Sequence, residues 1–306
     1  MKKFLILTQS YSENDGGYIV LHKLCDQINK LGGEAYLAPY VDSHEFSVHN
    51  FIGPLLKFAK ERYRRILPFK VNPGFSTPVL RKISGIRNWD DWIVVYPEVV
   101  FGNPLKAKNI VRWFLHSPGH ITKKIYYGEN ELYFRFHSGI KPFETPTSHM
   151  SSSELRVVHY PLELYNEIET ATERRGTAYC IRKGKGKPIV HDLNDSILID
   201  GKSHAEIALI FKRVKQFISY DPYTAYSSFA VLCGCESIVI PDCGISEEEW
   251  LPAQWDRNGV AYGFDNLEKS KAARFELIER IKKELQDNST NTTKFIQEAN
   301  DYFGGL

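Results

Sequence analysis

The stretch Tyr179-Cys180-Ile181-Arg182-Lys183-Gly184-Lys185-Gly186-Lys187 sets four basic side chains, Arg182, Lys183, Lys185 and Lys187, around two glycines. Glycine lets a backbone approach a ligand closely, and clustered cations neutralise an anion such as a departing diphosphate. The same pattern also suits a solvated turn, because Gly184-x-Gly186 lacks the third glycine of a dinucleotide fingerprint. Further along, Asp221-Pro222-Tyr223-Thr224 reads as the start of a helix over 222–233, with Asp221 capping, Pro222 at the first helical position and Gly234 closing the end. Unpaired amides and the positive dipole end would receive a phosphate there, with Tyr223 and Thr224 in the first turn and the Thr224 hydroxyl as an added donor. Capping alone accounts for the same residues.

The N-terminal half offers a second set. Asp15-Gly16-Gly17 stands between an apolar strand and an amphipathic helix. Tyr96-Pro97-Glu98 and Arg112-Trp113-Phe114-Leu115-His116 each put a polar side chain just after a strand, on the edge where open α/β sheets bind ligands. Glu98 and His116 are therefore acid–base candidates, although a lone His after a strand also serves structure. Other chemistries find little. Cys233-x-Cys235 with Cys243 has no partner at zinc-finger spacing and reads as buried thiols, so no metal is expected. There is no Gly-x-Ser-x-Gly elbow, Walker loop or His-Glu-x-x-His helix, and no Asp-x-Asp pair.

The elements that must position these residues follow from periodicity. Residues 3–8 form a buried strand, and Val20, Leu21, Leu24, Ile28 and Leu31 mark a helix ended by Gly32-Gly33. A strand over Glu34 to Pro39 completes a β-loop-α-β opening, and further strands are predicted at 92–96 and 110–115. The alternation restarts with strands at 177–182 and 196–200, a helix at 203–214 opened by the capping box Ser203-x-x-Glu206, and strands at 216–220 and 237–241. Residues 268–304 read as two amphipathic helices interrupted at Asn288-Ser289-Thr290-Asn291. Prolines, threonines and Ser151-Ser152-Ser153 have the composition of a surface connection. The predicted layout is 1–150 as one lobe, 151–175 as a linker, 176–290 as a second lobe and 291–306 as a C-terminal helix.

With 42% hydrophobic and 25% charged residues the chain is of globular type, and a net charge of +2 argues against general nucleic-acid binding. The apolar start Phe4-Leu5-Ile6-Leu7 stops at Thr8-Gln9-Ser10, short of a signal peptide or membrane span. Five cysteines, Cys25, Cys180, Cys233, Cys235 and Cys243, are an odd number in a chain of 306 residues, which points to a reducing compartment and the cytoplasm.

The segment from Phe217 to Asp242 resembles the nucleotide-sugar site of GT-B glycosyltransferases, particularly the retaining family 4 type, and the basic glycine loop looks like the first loop of their C-terminal lobe. The resemblance covers nearly the whole chain in layout but only the second lobe in motif. It implies two Rossmann-like α/β lobes with a cleft between them, an acceptor-binding first lobe and a donor-binding second. Asp221 falls on the first of two family glutamates, the one near the donor sugar, which makes it a catalytic candidate, and Phe229 falls on the second, where it cannot bind ribose. Gly16 and Gly17 resemble the glycine turn beside the transferred sugar.

The implied reaction moves a hexosyl unit from a UDP- or GDP-sugar to a glycan or lipid-linked acceptor in bacterial surface polysaccharide synthesis, with retention and without a metal or other cofactor. Lys57, Lys60, Arg62, Arg64 and Arg65, interleaved with aromatics, suit contact with an anionic membrane surface as a peripheral protein, or a solvated helix. Two alternatives stay open: a non-hydrolysing sugar-nucleotide epimerase, and a non-catalytic partner subunit that binds a nucleotide or glycan.

Overall fold

The computed structural model describes residues 1–39, 69–81, 83 and 86–304. The predicted membrane-contact residues Lys57, Lys60, Arg62, Arg64 and Arg65 lie outside the described residues. The chain divides into two compact units, Met1–His159 joined by the chain from Glu284 onward, and Tyr160–Lys283.

In the first unit, β1 (Lys3–Thr8), α1 (Gly16–Lys30), β2 (Ala35–Pro39), β3 (Trp92–Pro97), β4 (Asn109–Phe114), β5 (Leu132–Arg135) and β6 (His149–Glu154) build a six-stranded sheet ordered β2-β1-β3-β4-β5-β6. All its pairings are parallel. The near-continuous apolar strands are explained by burial on both faces. Phe4, Ile6, Val95 and Trp113 pack with Leu24 and Ile28 of α1 on one face, while Leu5, Leu7, Val94 and Tyr96 fill the other.

The second unit holds β7 (Thr177–Cys180), β8 (Ser196–Leu198), α2 (His204–Phe211), β9 (Gln216–Ser219), α3 (Tyr226–Leu232), β10 (Glu236–Val239), α4 (Glu247–Trp250), α5 (Gln254–Arg257), β11 (Val260–Tyr262) and α6 (Leu267–Ala272). Its sheet is also parallel, ordered β11-β10-β9-β7-β8. The predicted capping box forms, with Glu206 and Ser203 exchanging side-chain and backbone bonds at the start of α2. The chain is thus an α/β protein with two parallel sheets, as its alternating pattern indicates.

Two expectations are corrected. Ser151-Ser152-Ser153 is not a connection but part of β6, and Leu155 and Val157 beyond it are core residues. The strand reads as a loop because its hydroxyls are satisfied from outside: Ser151 and Ser153 both donate to Glu298. That glutamate belongs to α7 (Arg274–Gly304), one helix of 31 residues rather than two broken at Asn288. Asn288 accepts the Val158 N–H at 2.8 Å and donates to the Val158 carbonyl at 2.9 Å, and Asn291 donates to the Arg156 carbonyl at 2.9 Å. Side chains that elsewhere compete with a helix's own backbone here bind a neighbouring segment, so the helix continues through them. The break falls earlier, at Ala273.

Candidate functional site

In both sheets the strand order reverses once, between β1 and β3 in the first unit and between β7 and β9 in the second. Chains leaving the carboxyl ends of two such strands run to opposite sides and open a crevice, the usual ligand position in α/β sheets. The sequence candidates collect at these two places.

In the second unit, Arg182 follows β7 and Asp221 follows β9. Gly184 sits against the β9 exit so closely that a Cβ there would lie 2.0 Å from the Tyr220 carbonyl oxygen, so only glycine fits. Arg182 has a φ of 41°, a left-handed conformation rare for a residue with a side chain. Its Nε lies 3.7 Å from Asp221 Oδ2, and its guanidinium carbon is 5.3 Å from the centre of the Tyr226 ring. Lys183 and Lys185 are exposed. Lys187 is not: it donates to the Ile240 carbonyl at 2.7 Å and pairs with Asp242 at 2.7 Å, tying the loop to the exit of β10.

The predicted helix start is displaced. Helix α3 begins at Tyr226, and its capping position, Ala225, offers no side-chain bond. Asp221 instead closes a turn, its Oδ1 accepting the Tyr223 N–H at 3.1 Å, while Ser219 Oγ donates to the Asp221 carbonyl at 2.6 Å. Thr224 Oγ1 accepts the Tyr226 N–H at 3.4 Å, and Trp250 Nε1 donates to the Pro222 carbonyl at 2.8 Å. The Asp-Pro pair mimics a capped helix because an Asx turn needs the same acceptor side chain. Tyr223 stays exposed at the turn.

Phe229 is buried in an aromatic cluster, stacked on Tyr165 with ring centres 4.4 Å apart and meeting Tyr160, His204 and Tyr226. Its side chain is part of the core, which accounts for an aromatic residue at this position. Burial pushes the nearby thiols up, Cys180 to about 12, Cys233 to about 11 and Cys235 to about 12, which disfavours the reactive thiolate. Cys243, expected to be buried with them, is exposed.

In the first unit, Gly16 and Gly17 are the opening residues of α1 rather than a free loop, because the Asp15 side chain caps the helix at Tyr18 N. Glu98, after β3, is 5% exposed and accepts the Leu115 N–H at 3.1 Å. Burial pushes its carboxyl up to about 7, against the opposing pull of that backbone bond. His116, after β4, is exposed; its Nδ1 accepts the Ser117 N–H at 2.8 Å, and its ring stacks on His120 at 3.8 Å. Because β1, β3 and β4 are adjacent, Gly16, Gly17, Glu98 and His116 share one sheet edge. Arg112, in the same predicted motif, is structural: fully buried, it is paired twice with Glu131 at 2.5 and 2.6 Å.

Two acids at the second site escaped the sequence reading. Asp200 Oδ2 accepts the N–H of Ile181 at 3.2 Å and of Arg182 at 2.9 Å, and Asp242 holds Lys187. The signal was present, since each follows a strand just as Glu98 does. Among the described residues no cluster of three or more His, Cys, Asp or Glu is placed to hold a metal ion, and no helix is long and apolar enough to cross a membrane.

No protein-family model matches this sequence, and no curated protein matches it. Among solved structures, the chain is similar to the glycosyltransferase SnogD from Streptomyces nogalater, with 11% identity, a TM-score of 0.42 and coverage of 96% of this chain and 99% of that one. It is also similar to a sucrose-phosphate synthase from Thermosynechococcus elongatus, with 10% identity, a TM-score of 0.38 and coverage of 100% and 95%.

Proposed function

We propose that the chain is a glycosyltransferase that binds a nucleoside-diphosphate sugar at the β7/β9 reversal of its second unit. The observation that carries this reading is the meeting of Arg182 and Asp221 there, beside a glycine-dependent loop bearing Lys183 and Lys185. Guanidinium and ammonium groups neutralise the charge that builds on a diphosphate as it leaves, which is where catalysis of this reaction gains most. Because α3 starts at Tyr226, the cations and loop amides carry this role rather than a helix end at Asp221. Tyr223 and Thr224 border the same turn, and Lys187 joins the phosphate set by exchanging Asp242 for the ligand.

The acceptor hydroxyl oxygen bonds to the anomeric carbon as the bond to the diphosphate breaks. With retention, the reading that a family 4 likeness implies, the departing phosphate takes the acceptor proton. With inversion a base is needed, and His116 or Glu98 supplies it from the edge that also bears Gly16 and Gly17. The donor is a UDP- or GDP-sugar and the acceptor a glycan or lipid-linked sugar of surface polysaccharide synthesis. Transfer needs no metal, and Lys57 to Arg65 hold the protein at an anionic membrane.

The test is a thermal-shift screen of UDP, GDP and their sugars, followed by turnover with and without EDTA. A ligand at about a hundred times its dissociation constant adds roughly 2.7 kcal/mol of stability. No shift with any of them sinks the proposal. Loss of transfer on chelation, restored by manganese, removes metal independence. The burial of Phe229 where a ribose-binding acid would stand favours a second reading, a nucleotide-binding partner subunit, and binding without turnover would select it.

A further inference from the structure

Arg182 poses a question of local geometry. Its backbone is left-handed, at φ 41°, although it carries a full side chain, and no glycine or asparagine stands there to relieve the crowding. Such a conformation persists only where its surroundings hold it, and it tends to mark a site where a side chain must be aimed. Two constraints act on it. The Gly184 N–H donates to the Ile181 carbonyl at 2.7 Å, closing the turn from the far side. From the near side, one oxygen of Asp200 receives two successive amides, Ile181 N and Arg182 N. The parallel pairing of β7 with β8, Tyr179 opposite Leu198, delivers Asp200 to that position.

The carboxylate is otherwise out of place. An acid beside a loop of four cations that is read as a diphosphate site repels the ligand, so its presence calls for a geometric reason. The hydrogen bonds supply one. With both amides taken, the chain turns at Arg182 and the guanidinium comes to rest beside Asp221 and over Tyr226. We propose that Asp200 is a positioning residue for the diphosphate site: its Oδ2 clamps the left-handed backbone at Arg182 and so aims the guanidinium. This rests on the diphosphate reading of the β7/β9 site given above.

The proposal predicts a pattern of variants that charge alone does not give: repulsion alone would make Asp200→Ala bind tighter than wild type and leave Asp200→Glu equal to it. Asp200→Asn keeps an oxygen acceptor at the same distance and removes the repelling charge. Asp200→Glu keeps the charge and displaces the oxygen by one methylene, and Asp200→Ala removes the acceptor. Titration calorimetry with UDP and GDP, and with uridine and guanosine as controls, is the measurement, each variant first checked for an intact thermal transition. Asp200→Asn is expected to bind the preferred diphosphate as tightly as the wild type or up to about threefold tighter, since only the like-charge repulsion is lost. Asp200→Ala and Asp200→Glu are expected to weaken it about five- to tenfold without changing nucleoside binding, somewhat less than outright loss of the charge-assisted contact would, since the guanidinium is misaimed rather than removed. Asp200→Ala combined with Arg182→Ala is expected to be no weaker than Arg182→Ala alone, because the clamp acts only through that arginine.

Wild-type-like binding by Asp200→Ala, additive losses in the double variant, or Asp200→Glu outperforming Asp200→Asn would each overturn the positioning role while leaving the diphosphate site standing. Failure of the wild type to bind either diphosphate would remove the site and this role together. If Asp200→Ala does not fold, Asp200→Glu still decides against wild type: weaker diphosphate binding supports the positioning role, and equal binding overturns it.

Discussion

Arg182 Nε stands 3.7 Å from Asp221 Oδ2, the acid almost wholly buried and the arginine about a third open, with side-chain exposures of 4% and 32%. The contact is an ion pair too long to be a hydrogen bond. A guanidinium carries five N–H donors, so this pair leaves capacity for a ligand's phosphate oxygens. The acid holds the cation at the mouth of the site without consuming it.

Arg182→Ala is accordingly expected to weaken UDP or GDP binding about tenfold or more, since charge-assisted hydrogen bonds contribute roughly 1.5–3 kcal/mol. The nucleoside is expected to bind almost unchanged. Calorimetric titration of both ligands separates the outcomes: equal losses mean a damaged fold, and no loss places the phosphate elsewhere. Thr224→Val is expected to act in the same direction and less, because it removes one neutral hydroxyl.

Lys187 and Asp242 form a second acid–cation contact at the same edge, and here the lysine is fully engaged. A diphosphate that recruits Lys187 must displace Asp242. Asp242→Asn is therefore expected to tighten diphosphate binding by about two- to fivefold, in keeping with the ~1 kcal/mol or less that a partly exposed pair contributes. Unchanged or weaker binding by this variant would show that Lys187 stays with the protein when the ligand arrives.

Glu98 gives the protein a pH dependence of defined sign. Its carboxyl is pushed up by burial to about 7 from an ordinary 4.5. The unfolded chain thus releases this proton first, and the contribution to stability is full below about pH 4.5 and lost as pH rises through about 7. The difference corresponds to roughly 3 kcal/mol at about 1.4 kcal/mol per pH unit. Denaturant unfolding between about pH 5 and 8 is expected to show wild type losing stability relative to Glu98→Gln, which has no proton to release. Parallel curves for the two proteins would mean that Glu98 titrates normally.

Asn288 is 2% exposed and binds both polar groups of Val158. Asn288→Leu leaves a buried N–H and carbonyl without partners, at a cost of about 1–3 kcal/mol for each group. Asn288→Ala is expected to cost less where water enters the space. Unfolding midpoints of both variants at constant denaturant dependence check this, and a stabilised Leu variant would show that the segment rearranges.

The sequence by itself determined the class of fold and which polar residues follow its strands. Buried parallel strands must be apolar on both faces, so Phe4-Leu5-Ile6-Leu7 and Trp92-Ile93-Val94-Val95 declare themselves in one dimension, and polar residues just after them mark the ligand edge. Arg182, Gly184, Asp221, Glu98 and His116 were legible as candidates for that reason. What only the tertiary structure decided were the pairings across strands. No local pattern states that Asp200 reaches back to the amides of Ile181 and Arg182, or that Asp242 meets Lys187, because those contacts depend on which strands lie side by side. The same holds where local signals misled. Asp221-Pro222 looks like a helix start because a turn and a cap use the same acceptor, and Asn288 to Asn291 look like a break until a neighbouring backbone satisfies them. A polar side chain states in sequence only that it needs a partner, and the fold chooses which one.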